Sequence, residues 1–119
     1  MDGYERIIGL NTKIIIKVNN SQVGVIQNIS YKENPVSGSC DRIRFDTKKI
    51  ESIFMHGYIH VASQYVPFNI VILDSFADDS YNITVIKNVW IRNIGIIFTA
   101  SDFVVAENVD WEAECIYKF

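Results

Sequence analysis

The stretch Val109-Asp110-Trp111-Glu112-Ala113-Glu114-Cys115-Ile116-Tyr117-Lys118-Phe119 alternates with a period of two. Val109, Trp111, Ala113, Cys115, Tyr117 and Phe119 are apolar at odd positions. Asp110, Glu112, Glu114 and Lys118 are charged at even positions, and only Ile116 breaks the pattern. Successive strand side chains point to opposite faces, so this is a strand with one buried face and one face on water or a polar partner. Cys115, on the apolar face, reads as a small core residue.

The same period recurs upstream. Ile14, Ile16 and Val18 share one face of Lys13–Val18. Asn19-Asn20-Ser21-Gln22 follows as a turn, because Asn tolerates positive φ and its side chain mimics a turn. Val23 to Tyr31 resumes the pattern, which makes a hairpin. Arg42–Phe45 and Tyr58–Gln64 read as short strands. Pro67 lacks a ladder donor and marks an edge or a strand start. Phe68–Leu73 is a compact apolar strand, and Asp74–Ser80 is a polar loop. Tyr81–Thr99 is strand-like throughout, with a bend or bulge expected near Asn93-Ile94-Gly95. A turn follows at Thr99–Asp102. The first nine residues read as a short arm or edge segment.

Composition supports this reading. The 119 residues hold 20 Ile and 12 Val against 2 Leu and 5 Ala. Branching at Cβ suits a pleated surface, whereas Leu and Ala would dominate a helical protein. The length fits one domain, residues 1–119, with one modest core. No apolar run approaches the roughly 20 residues of a membrane span, and the start lacks a basic, then apolar, leader. We therefore expect neither export by that route nor insertion in a bilayer.

One segment changes period. Asp46 is a candidate N-cap, and Ile50, Ile53 and Phe54 fall at i, i+3 and i+4. Gly57 suits a left-handed terminator. The spacing predicts one α-helix over about 47–56, packed on an antiparallel β-sandwich or barrel. Just before it, Lys32, Glu33, Asn34, Pro35, Val36, Ser37, Gly38, Ser39, Cys40 and Asp41 form the most loop-like stretch, of a length often used for interaction.

The sequence offers little chemistry. Cys40 and Cys115 do not make a disulfide framework, and without an export signal they are expected reduced. His56 and His60 would lie roughly 13 Å apart on a strand, too far to share an ion, so no metal is expected. No nucleophile elbow or phosphate-loop glycine pattern is present, so neither an enzyme nor a cofactor is expected. Trp90, Tyr58, Tyr65 and Phe68 are possible stackers for single-stranded nucleic acid. That role needs a positive groove, for which only Arg42, Arg44, Lys48, Lys49 and Arg92 are available. The net charge is -3, and Asp102 to Glu114 holds five acids and no base. Two solvated faces explain this charge distribution, and so does a polarised subunit that stacks or rings with its copies.

Two hairpins carry a resemblance. The opening one is Ile14-Ile15-Ile16-Lys17-Val18-Asn19-Asn20-Ser21-Gln22-Val23-Gly24-Val25-Ile26-Gln27-Asn28-Ile29-Ser30. The closing one runs from Asn88-Val89-Trp90-Ile91-Arg92-Asn93-Ile94 through Thr99-Ala100-Ser101-Asp102 to Val109-Asp110-Trp111-Glu112-Ala113-Glu114. Both resemble the tail-tube proteins of long-tailed bacteriophages and contractile injection systems, which open with a short hairpin, carry one mid-chain helix and end in a long hairpin. The resemblance covers about forty residues by motif.

It implies a virion structural protein of the tail, assembled in the host cytoplasm. Its role would be tail tube, baseplate hub, initiator or terminator. Its partners would be copies of itself in stacked homohexameric rings and other tail or baseplate proteins, with DNA passing unbound through the lumen. Asp110, Glu112 and Glu114 would then line that lumen, where like charge repels phosphate. Residues Lys32 to Asp41 would stack the rings. The alternative is a small β-barrel binding module for single-stranded nucleic acid or a protein partner.

Overall fold

The computed structural model describes residues 11–119, so the arm expected over the first nine residues lies outside the described residues. Eight strands follow in order: β1 (Asn11–Val18), β2 (Ser21–Ile26), β3 (Ile29–Glu33), β4 (Val36–Asp46), β5 (Phe68–Ser75), β6 (Tyr81–Ala100), β7 (Phe103–Glu112) and β8 (Cys115–Lys118). All pairings are antiparallel. Six strands close in the spatial order β1-β2-β4-β7-β6-β5 and back to β1, a Greek-key barrel. β3 and β8 extend it, β3 beside β4 and β8 beside β6.

Local chemistry sets the hairpins. Asn19 and Asn20 both take positive φ, 49° and 67°, between the paired Val18 and Ser21. That is the two-residue turn whose twist matches the strands, and Asn is among the few residues that hold it cheaply. Ile14, Ile16 and Val18 face inward as expected and are buried. β5 begins directly after Pro67. The irregularity in β6 falls between Ile91 and Asn93.

β4 changes partner along its length. Its first half lies between β3 and β7, and its second half between β2 and β7. The first half needs a glycine. A Cβ on Gly38 would sit 2.2 Å from the Ser30 carbonyl oxygen and 2.6 Å from Trp111 Cζ2. Here the backbone of β3 and a buried indole press on the strand from two sides.

The expected helix at 47–56 is overturned. No α-helix of any length is present among the described residues, and the segment holds short 3-10 turns at Ile50–Ser52 and Met55–Gly57. Asp46 does accept from the Lys48 N–H at 2.9 Å, and Ile50, Ile53 and Phe54 are all buried. The burial stripe is therefore real, but the backbone is not helical. A helix of ten residues is marginal alone, and Ile is a modest helix former. Moreover, β4 and β5 lie opposite each other in the barrel, so residues 47–67 must cross its end. Phe54 turns extended to bridge Gln64, and His56 takes φ 58°. The stripe plugs the barrel mouth, with Phe54 edge-on to Phe45 at 5.5 Å between ring centroids. Tyr58–Gln64, expected as a strand, is part of the same plug and holds a third 3-10 turn at Val61–Ser63.

The closing strand also differs. It breaks after Glu112, where the Ala113 N–H donates to Val36 O and the Glu114 N–H to Lys87 O, both at 3.0 Å. The break reverses the phase. Val109 and Trp111 face the core at odd positions, but beyond it Ile116 packs on the core while Tyr117 is exposed. Ile116, the exception in the pattern, thus marks the break. Cys115 is half-buried, and Cys40 is the core cysteine.

Candidate functional site

β6 has 20 residues and outruns β5, which has 8. Tyr81 to Val89 is flanked by β5 on one side, and Thr84 to Lys87 by β8 on the other. Trp90 to Ala100 keeps only β7. Where β5 stops, a side chain replaces it. The Gln64 amide donates from Nε2 to Val89 O at 3.0 Å and to Val66 O at 3.1 Å, and its Oε1 accepts from the Ile91 N–H at 2.8 Å. Gln64 is the one buried polar residue among the described residues, and it imitates one more residue of strand. Beyond it, among the described residues, the far edge of Asn93 to Ala100 has no partner.

That edge is apolar on both faces. Phe98 lies opposite Val105, and Ile96 opposite Glu107. Ile97 lies opposite the fully buried Ala106 yet remains 43% exposed; Ile96 and Phe98 are 53% and 41% exposed. Asn93 to Ser101 carries no charge. The outer edge strand β3 behaves differently. It is five residues long and bears Lys32 and Glu33. Short length and charge are how proteins blunt an edge, and the open part of β6 has neither.

Across β7 from the edge strand, β4 supplies two cations. Arg42 Nε donates to Glu107 Oε2 at 2.7 Å, and its guanidinium stands 6.0 Å from the Phe98 ring centre. Arg44 lies 4.7 Å over Phe103. Lys49 donates to Gln22 O at 3.1 Å. Of the basic residues singled out from the sequence, Arg42 and Arg44 meet Phe98 and Phe103, not the aromatics named with them.

Those aromatics are dispersed. Phe68 is buried. Tyr58 stacks on His60, and the Tyr65 hydroxyl donates to Glu51 O at 2.5 Å. Trp90 is half-exposed in a shallow cavity of about 370 Å³ whose other walls are Pro67, Asn88, Glu112, Ala113 and Glu114. Carboxylates beside the indole disfavour phosphate there.

The acidic trio is separated by the strand break. Asp110 and Glu112 share an exposed face of β7, and Glu114 lies past its end. Glu112 pairs with Arg92, which holds its carboxyl below the usual range, chiefly by hydrogen bonding. Glu114 accepts from the Asn88 side chain. Residues Lys32 to Asp41 are not a loop. Lys32 and Glu33 end β3, Asn34 and Pro35 make the turn, and Val36 to Asp41 open β4. Serine, glycine and cysteine there serve close strand contact, which composition alone reads as loop. Cys40, on this hairpin, is buried, and burial pushes its thiol up to about 12.

Gln64 was missed from the sequence. Its one signal is a polar residue three before the Pro67 that starts a strand. No family model, no curated protein and no solved structure matches the chain. The resemblance to tail-tube proteins is thus without support from comparison.

Proposed function

We propose that this chain is a small β-barrel binding module that takes a protein partner by strand addition along the open edge of β6. The observation that carries this reading is the uncharged, half-exposed edge at Asn93–Ala100, in a fold whose other outer strands, β3 and β8, are short and carry charge. An added strand would satisfy the free N–H and C=O groups and cover Ile96, Ile97 and Phe98 together. Main-chain pairing gives affinity in this mode, and alternate side-chain pockets give specificity.

A protein partner is favoured over nucleic acid. The net charge is -3, the proposed stackers do not converge, and Arg42 is already paired with Glu107. The tube-subunit role is the weaker reading. It drew on a mid-chain helix that is absent and on an acidic strand of which two members are already partnered.

The test is amide exchange with a soluble peptide carrying the Ile94–Ala100 sequence between lysines. Slower exchange at Gly95–Ala100, saturable with peptide, is the expected result. Exchange unchanged there, or a single-stranded oligonucleotide binding at physiological salt, would overturn the proposal.

A further inference from the structure

We infer that the outer face of β5 and the first half of β6 docks an amphipathic helix of another protein, one whose apolar stripe is flanked by carboxylates. This surface is separate from the strand-addition edge, because here β6 already has β5 on one side and β8 on the other.

Register places the face. Ile70, Ile72 and Ile86 point into the core and are buried, so Val71, Leu73, Ile83 and Val85 point away from it. Val71 lies opposite Val85 and Leu73 opposite Ile83, which makes a two-by-two apolar block on the outside of the barrel. On one side Ile15 of β1 lies opposite Val71. On the other Tyr117 of β8 lies opposite Val85, and the Phe119 N–H donates to Ile83 O at 2.8 Å. Tyr117 and Phe119 are 48% and 75% exposed, and the four residues of the block are half-buried.

Charge brackets the block. Lys13 lies opposite Leu73. Lys17 and Lys87 stand two residues beyond Ile15 and Val85 on the same face, and Lys87 Nζ is 5.9 Å from the Tyr117 ring centre. The outward positions of β1, β5, β8 and the first half of β6 hold these three lysines and no Asp or Glu, in a chain of net charge -3. A complementary partner is apolar at its centre and acidic at its flanks.

The sheet selects the form of that partner. The strands beneath the block are paired with neighbours on both sides, so an element laid on them must satisfy its own backbone, as a helix does. The block and its flanks span four strands, about 14 Å, which is the length of about three helical turns. A second globular copy would need about 800 Å² on each side, several times this patch, and a two-fold contact would set the same lysines against one another. A bilayer would need apolar side chains that stand proud, whereas Val71, Leu73, Ile83 and Val85 are recessed among their neighbours. An amphipathic helix meets each requirement.

The test adds to the full chain a fluorescent peptide, about five helical turns of Leu, Ala and Glu, with Leu along one face and Glu on its flanks. Saturable binding is expected, with shifts of the Val71, Leu73, Ile83 and Val85 methyl resonances. The same peptide with Lys in place of Glu should bind at least tenfold more weakly. A protein carrying Lys17→Glu and Lys87→Glu should reverse that preference, and Val71→Asp should bind neither peptide. The charge-reversed protein changes only side chains outside the core, and circular dichroism verifies its fold. No saturable binding, equal affinity for the two peptides, or shifts confined to Ile96–Phe98 would overturn the inference. Pelleting with phosphatidylserine vesicles in place of peptide binding would give the face to a membrane. Methyl shifts that grow with protein concentration alone would give it to a second copy. Either result refutes the helix.

Discussion

Replacing Gln64 by Leu removes an amide that substitutes for the missing end of β5. Three hydrogen bonds are lost, to Val66 O, Val89 O and from the Ile91 N–H. Each contributes about 1 kcal/mol net, and a buried backbone group left without a partner costs about 1–3 kcal/mol. Leu is close in volume, so cavity formation adds little. We therefore expect a loss of about 3 kcal/mol, far outside the roughly 0.5 kcal/mol of an ordinary surface change. For a domain of this size that corresponds to a melting point lower by about 12 °C. Urea unfolding followed by the fluorescence of buried Trp111 reads it directly, with an unchanged slope. Gln64→Glu adds a second arm. A carboxylate still accepts from Ile91 but cannot donate to Val89, so its folded-state pKa rises above the ordinary value of about 4.3. A raised folded pKa means that the folded state holds its proton longer. Stability is then greatest below pH ~4 and falls as pH rises through the folded pKa. A Leu variant within about 1 kcal/mol of the parent, or a Glu variant with the parent's pH profile, would refute the strand-surrogate role.

Further outcomes follow from neighbouring features. Gly38→Ala forces β3 or Trp111 aside and should cost about 2–3 kcal/mol, with faster amide exchange over Ser30–Lys32; exchange and stability like the parent's would contradict the packing argument. Cys40, with its thiol pushed up to about 12, stays protonated at pH 8 and should resist a soluble disulfide reagent until the barrel unfolds, while half-buried Cys115 reacts first. Two equally fast thiols would count against that burial. Arg92→Ala should return the Glu112 carboxyl upward toward its ordinary range in an NMR titration, with little change in stability because the pair is exposed.

Much of the fold is legible residue by residue. The Asn19-Asn20 turn, the inward Ile14, Ile16 and Val18, and the start of β5 after Pro67 all follow from local chemistry. The 47–56 stripe is legible as burial but not as backbone, because i, i+3, i+4 spacing reports which side chains are covered, not which helix carries them. The plug that covers them is set by β4 and β5 lying across the barrel from one another, a nonlocal fact. The open edge was missed for a related reason. Nothing in Asn93–Ala100 says that β5 begins too late to flank it; the clue was its freedom from charge within so long a strand. The acidic trio misled because alternation was extended through Ala113, where the chain hands its pairing from β7 to β8.

The Greek-key order has a consequence for how the chain closes on itself. β1 to β4 form one run of neighbouring hairpins and β5 to β8 another, and the two runs pair strand to strand along β1–β5 and β4–β7. Along these seams Asn11 meets Ser75 and Ser37 meets Glu112, so closure waits for distant contacts after the local hairpins have formed. Both seams are indifferent to which molecule supplies the opposite run, provided that residues 47–67 can reach across. Refolding at high concentration should therefore yield exchanged dimers, in which each barrel is completed by halves of two chains while both β6 edges remain open.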